Sequence, residues 1–329
     1  MENRKKDHIE MAFDSRLGRD QVDNRFYYEP VLKPHPEGLP FSLDLGGSSM
    51  KAPVWVSSMT GGTEKAGKIN RNLASVCREF GLGMGLGSCR IILEDDKYFE
   101  DFNMRPLIGE QPLYANLGIA QVESLLDTNR LSLINRLIDR LKADGLIIHV
   151  NPLQEWFQPE GDRLMAAPID IIKELIDQVS FPLIVKEVGQ GMGKESLRAL
   201  LQLPLQAIEF AAFGGTNFAR LELMRSDKTS QDLFEPLSHV GHDAYHMLEM
   251  VNELAENETI QTKNLIISGG IRNFLDGYYL IGKSKLPAVY GMASGFLKYA
   301  QGDYSDLKIF TENQIKGLEL AYNYLTIRE

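Results

Sequence analysis

Eight short, nearly all-apolar runs recur along the chain. They occupy residues 53–59 (PVWVSSM), 81–87 (GLGMGLG), 112–118 (PLYANLG), 145–151 (GLIIHVN), 182–188 (PLIVKEV), 207–213 (AIEFAAF), 264–270 (NLIISGG) and 288–293 (AVYGMA). An apolar run this short and this continuous fits a strand covered on both faces, the signature of a parallel sheet. Successive runs start 28, 31, 33, 37, 25, 57 and 24 residues apart. A βα unit needs about 30 residues, so strand and helix alternate, with one long insertion after the sixth strand. Helical stripes fall between the runs. Ile134, Leu137, Ile138 and Leu141 share one face. Ile171, Ile172, Leu175, Ile176 and Val179 repeat the spacing behind Pro168, and Leu197, Leu200 and Leu201 do so again.

Eight strands in this alternation predict an α/β fold, a (β/α)8 TIM barrel, over a doubly wound open sheet of similar length. Polar residues gather at the C-terminal end of nearly every run, where barrels place their active sites. Residues 1–52 are polar, carry four prolines and read as an irregular leader; no linker divides the rest, so residues 1–329 form one domain. The connection over 214–263 is long enough to act as a lid or binding loop, with a helix expected over 243–256.

Composition narrows the function classes. Hydrophobic residues make up 43% and charged residues 24%, as in a globular protein. Thirty-five basic residues against 45 acidic ones leave a net charge of −10, which argues against non-specific nucleic-acid binding. No apolar stretch reaches membrane-spanning length or resembles a signal peptide, and two cysteines form no disulfide framework. The expectation is a soluble, cytoplasmic protein.

The strand ends carry the candidate chemistry. The first run ends in Ser57, Ser58 and Met59 with Thr60 and two glycines behind it, and Ser88 and Arg90 follow the second. Small residues there let backbone approach a planar ring or a phosphate, and Arg90 suits an anion. Asn116 offers donor and acceptor together. The fourth strand is the richest, with His149, Asn151, Gln154 and Glu155 within seven residues; Glu155 is its one hard oxygen anion for a cation such as Mg2+. Lys186 sits in an apolar strand, where a cation needs a negative partner. Glu187, another carboxylate or an anionic cofactor would serve, and a Schiff base at Lys186 stays open. Glycine runs end the last three strands: Gly214-Gly215-Thr216, Gly269-Gly270-Ile271-Arg272 and Gly291-Met292-Ala293-Ser294-Gly295. The final two match the phosphate site that barrels build after strands seven and eight. Arg4, Lys5, Lys6 and His8 form a basic cluster in the leader.

Read in order, these strings resemble type 2 isopentenyl diphosphate isomerase, the FMN-dependent isomerase of isoprenoid synthesis. The resemblance runs through Arg4-Lys5-Lys6-Asp7-His8-Ile9, Ser58-Met59-Thr60-Gly61-Gly62, Ala115-Asn116-Leu117-Gly118, the fourth-strand string with Gln158-Pro159-Glu160-Gly161-Asp162 behind it, Lys186-Glu187-Val188-Gly189 and Ser268-Gly269-Gly270-Ile271-Arg272. It implies interconversion of isopentenyl diphosphate and dimethylallyl diphosphate with reduced FMN, Mg2+ and NADPH as reductant, in a homo-oligomer with no membrane partner. Ser58, Met59, Thr60, Ser88, Asn116, Lys186, Thr216, Gly270, Ile271, Arg272, Ala293 and Ser294 would hold FMN. Arg4, Lys5, Ser88, Arg90, His149, Asn151 and Gln154 would hold substrate, Glu155 the metal, and Gln154 with Glu222 would serve catalysis. Cys89 stands where the family more often has Gln, and residues 240–244 (VGHDA) replace a Trp-Gly string. An FMN-dependent oxidoreductase of the 2-hydroxy-acid oxidase type is the alternative. Its chemistry needs a histidine base beside the arginine after strand seven, and the string SGGIRNFLDG has no histidine.

Overall fold

The computed structural model describes residues 2–58 and 60–328. All eight runs are strands: β1 (Val54–Val56), β2 (Gly83–Gly85), β3 (Leu113–Gly118), β4 (Gly145–His149), β5 (Leu183–Lys186), β6 (Ala207–Glu209), β7 (Asn264–Ser268) and β8 (Ala288–Met292). They pair in parallel, each with its sequence neighbour, and β8 pairs with β1 to close the barrel. A closed parallel sheet leaves no edge, and its strands are covered inside and out.

Alternation divides each strand between two cores. Trp55, Tyr114, Ile147, Ile184, Ala207, Ile266 and Val289 point inward and pack together. Gly83 yields the space that Trp55 fills, since a Cβ there would lie 2.4 Å from the indole ring. The outward residues meet the helices. Ile134, Leu137, Ile138 and Leu141 are buried on the helix Ser132–Leu141, and Leu197, Leu200 and Leu201 on the helix Lys194–Leu201. Pro168 opens the helix Pro168–Ile176. That helix stops short of Val179, which packs against the core from the segment leading to β5.

The leader is more ordered than its composition suggests. A helix spans Glu2–Glu10, where strong helix formers are joined by a Lys6–Glu10 pair one turn apart. Phe26–Tyr28 pairs antiparallel with Leu325–Ile327. Leu43–Leu45 and Ser48–Met50 form a hairpin whose turn residues, Gly46 and Gly47, have φ of 72° and 92°, as a tight hairpin turn requires. Leu45 and Met50 from this hairpin complete the inner core and plug the N-terminal mouth of the barrel.

The connection after β6 carries three helices, Phe218–Arg225, Lys228–Ser238 and Ala244–Asn257. The last is the helix expected over 243–256, with Asp243 as its N-cap. The other two were not expected: Phe218–Arg225 is short, burying Ala219, Glu222 and Leu223, and Lys228–Ser238 is largely exposed, with Phe234 packed against its neighbours. Asn217 and Asp227 cap them, accepting the backbone N–H of Arg220 at 2.9 Å and of Ser230 at 3.0 Å.

Candidate active site

A cavity of about 390 Å3 opens at the C-terminal ends of the strands. Ser58, Lys186, Thr216, Gly270, Ile271, Arg272, Ala293 and Ser294 all line it. A smaller space of about 130 Å3 shares Ser58 and Lys186 with it and adds Ser88, Asn116, His149 and Gln154. Asn151 and Gln154 face a third space of about 290 Å3 beyond Val188. One continuous mouth therefore gathers most of the residues singled out from the sequence.

At one end lie the glycine loops. Gly214, Gly269 and Gly270 have φ of 108°, 92° and 73°, and a Cβ on Gly269 would meet the carbonyl oxygen of Ala212 at 2.1 Å. The loops after β6 and β7 can pack this closely only without side chains. Glycine loops of this kind, with the turn following β8, leave backbone N–H groups uncovered by side chains, which is what an anion cradle requires. Asp276, on the helix Phe274–Lys283, accepts the Arg272 backbone N–H and the Arg272 Nε, both at 3.1 Å, and Arg25 of the leader at 2.8 Å.

At the other end Lys186 is buried and donates to the carbonyl of Glu187 at 3.0 Å. An ammonium has three protons, so two remain for the cavity. The Glu187 carboxylate is no partner for it. That group turns away and accepts the N–H groups of Gly189, Gln190 and Gly191 at 2.6, 2.7 and 2.9 Å. Burial raises its proton affinity, and these three bonds work in the opposite direction.

His149 Nδ1 lies 2.8 Å from Asn116 Oδ1, and Asn116 Nδ2 donates to Leu86 O at 3.0 Å. The protein thus occupies both ends of the Asn116 amide. Burial, aided by the charge of Lys186, lowers the pKa of His149 to about 3, so the ring is neutral near pH 7.

Gln154 is held from both sides. Its oxygen accepts from Asn151 Nδ2 at 3.1 Å, and its nitrogen donates to Glu222 at 3.4 Å. Glu222 is buried and pairs with Arg225 at 2.5 Å. Glu155, also buried, accepts from Asn151 Nδ2 at 3.1 Å and from the Asp162 N–H at 2.9 Å. No group of three His, Cys, Asp or Glu side chains is gathered as a metal cage among the described residues. Glu155 and the unpartnered, buried oxygen of Asn151 offer two hard oxygens. That set fits a cation whose other ligands come from a bound anion and water.

Other expected residues stand apart. The Thr60 backbone packs on Gly87, where a Cβ would meet it at 2.5 Å. Arg90 is exposed and pairs with Asp162 at 3.0 Å. Arg4 and Lys5 lie exposed on the leader helix and line none of these spaces. Met59 lies outside the described residues. Sequence reasoning missed Glu209 and Asp276. The signal for Glu209 was the one that marked Lys186, a lone charge in an apolar strand.

No protein-family model matches the chain. Among solved structures, it resembles a flavocytochrome b2 variant with sulfite bound, at 15% identity and a TM-score of 0.62, covering 90% of this chain and 71% of the other. It also resembles a mandelate oxidase variant with a monooxide FMN adduct, at 12% identity and a TM-score of 0.57, covering 92% and 88%. At such identities the likeness is one of fold. An isopentenyl-diphosphate delta-isomerase of Rickettsia peacockii (strain Rustic) is 33% identical over 318 residues, 95% of this chain and 89% of the relative. The enzyme of that name from Rickettsia typhi (strain ATCC VR-144 / Wilmington) is 33% identical over 303 residues, 90% of this chain and 85% of its own. With a third of its residues shared across nearly the full length of such relatives, and a closed barrel beneath them, the chain belongs to the isopentenyl-diphosphate delta-isomerase family.

Proposed function

We propose that this enzyme interconverts isopentenyl diphosphate and dimethylallyl diphosphate, using reduced FMN and Mg2+, with NADPH as the reductant of the flavin. The observation that carries the reading is the Gln154 clamp. Asn151 and Glu222 fix the Gln154 amide beside a space lined by Lys186, and Arg272 is followed by Asn273 rather than by a histidine base.

The loops at Gly270, Ile271, Arg272, Ala293 and Ser294 hold the cofactor phosphate on backbone N–H groups. Ser58, Thr60, Ser88, Asn116 and Thr216 surround the ring and chain, and Lys186 faces the ring edge that becomes negative on reduction. Reduced flavin supplies an electron-rich face and an exchangeable proton, with no net redox change. The alkene has no polar handle, so the diphosphate must provide binding and orientation. Arg4, Lys5, Arg90, His149 and Asn151 bind that diphosphate. Glu155 holds Mg2+ against it. Gln154 orients the reacting end, and Glu222 assists proton transfer there through the Gln154 amide whose N–H it accepts.

The reading places all 329 residues in one cytoplasmic domain that acts on small molecules as a homo-oligomer. Exposed Ile9, Phe13 and Leu17 on the leader support self-association. No helix among the described residues is long and apolar enough to cross a membrane. Purified protein is incubated with FMN, NADPH, Mg2+ and isopentenyl diphosphate, and the products are resolved by NMR. Dimethylallyl diphosphate is expected. Its absence, together with flavin reduction by a 2-hydroxy acid, would favour the oxidase reading.

A further inference from the structure

Glu209 ends β6 and is fully buried. Its register partner on β5 is Lys186. In-register residues of parallel neighbours face the same side of a sheet, and both side chains line the main cavity. Neither satisfies the other. Lys186 donates to the Glu187 carbonyl. One oxygen of Glu209 accepts from Ser268 Oγ at 3.3 Å, and Oε2 finds no hydrogen-bond partner among the described residues. Ser57 Oγ is unpartnered in the same way. A Cβ on Gly291 would lie 2.6 Å from Ser57 Oγ and 2.8 Å from Ser268 Cβ, so these polar side chains meet on the cavity floor.

A buried acceptor without a donor is costly, and a group retained at that cost points to a ligand. The order of strands says which part of the ligand. β6 stands between β5, which carries Lys186, and β7, which leads into the anion loop. A molecule reaching from the anion loops to Lys186 passes over Glu209. Glu209 Oε2 calls for a donor, and Ser57 Oγ can donate or accept. Successive hydroxyls meet both demands, since each donates once and also accepts.

The geometry points to Glu209, with Ser57, as the subsite for a polyhydroxylated chain, the sugar-alcohol chain that joins the phosphate of FMN to its ring. This rests on the flavin reading above. In FMN that chain leaves the ring beside N1, so a hydroxyl donor and a ring acceptor are neighbours, as Glu209 and Lys186 are.

The test compares FMN with a flavin whose phosphate is carried on a plain five-carbon alkyl chain. Both are titrated into flavin-free protein, and binding is followed by flavin fluorescence. Native protein is expected to prefer FMN by about tenfold or more, as sites built to bind a hydroxyl do. In Glu209→Leu the preference is expected to fall to about threefold or less, mainly through weaker FMN binding. Circular dichroism checks folding. If the leucine variant does not fold, Glu209→Gln keeps the volume and one acceptor oxygen, and its preference is expected to fall by at least about threefold. An unchanged preference in the folded variant overturns the assignment of Glu209 and leaves the flavin reading standing. Native protein that binds FMN without preferring its hydroxyls does the same. Native protein that binds neither flavin overturns both.

Discussion

Asn116 fixes the tautomer of His149. Its Nδ2 donates to Leu86 O, so its oxygen faces His149 Nδ1 at 2.8 Å and can only accept. The ring proton therefore sits on Nδ1, and Nε2 presents a lone pair. The folded chain keeps His149 neutral down to about pH 3, whereas an unfolded histidine takes up a proton near 6.5. Between those values the unfolded chain binds more protons, so stability present above about pH 6.5 is lost as pH falls toward 3. Urea midpoints measured from pH 7 to 4.5 should decline in the native protein and decline less in His149→Gln. One proton contributes at most ~1.4 kcal/mol per pH unit. Asn116→Asp places a negative charge on Nδ1–H and should raise the His149 pKa by at least about one unit. Histidine NMR reads that shift, and an unmoved titration would refute the tautomer assignment.

Lys186 should discriminate between flavin redox states. A buried cation beside the ring attracts the anionic reduced form more than the neutral oxidised one. Lys186→Ala is expected to weaken reduced FMN by about tenfold more than oxidised FMN. Titrations under reducing and oxidising conditions measure both constants. Equal losses would remove this role from Lys186.

Glu155 and Gln154 are adjacent but should fail differently. Glu155→Gln removes a charge while preserving shape, so about tenfold more Mg2+ should be needed for half-maximal rate. Gln154→Ala should lower kcat by about a hundredfold or more, with little change in KM or Mg2+ requirement. Initial rates across a Mg2+ series separate the two. A matching shift in Mg2+ requirement for both variants would break this division of labour.

Asp276 couples the leader to the loop after β7. It is buried, and Arg25, itself held by Asp23, reaches it from the leader. Asp276→Asn removes the charge that both arginines share and loosens the loop at Arg272. FMN affinity should fall by about tenfold, equivalent to ~1.4 kcal/mol, with kcat at saturating FMN nearly unchanged. Arg25→Ala should produce a smaller loss in the same direction. Undiminished affinity in Asp276→Asn would show that the loop holds its shape alone.

What the sequence made legible was whatever local chemistry specifies. The strands were readable because burial on both faces writes one unbroken apolar string, as in Leu146, Ile147 and Ile148. The helix from Ala244 was readable through its cap and stripe. The leader was misread because its order comes from afar: Phe26 pairs with Ile327, and no local pattern announces that partner. The helices behind Asn217 and Asp227 were missed because their apolar residues pack on each other and on Phe157, away from the strand-and-helix rhythm of the barrel. In the site, Lys186 stood out against its strand, yet Glu209 passed unnoticed in an equally apolar one. The link from Asp276 to Arg25 spans 251 residues and belongs to the tertiary fold alone.

The ribbon between Phe26–Tyr28 and Leu325–Ile327 sets an order of assembly. Arg328 donates to the carbonyl of Phe26 across 302 residues of chain, so this ribbon cannot close until synthesis has passed the last barrel strand. Every βα unit can meet its sequence neighbour before that point. The leader strand thus acts as a clasp that can fasten only when every barrel strand has already been made.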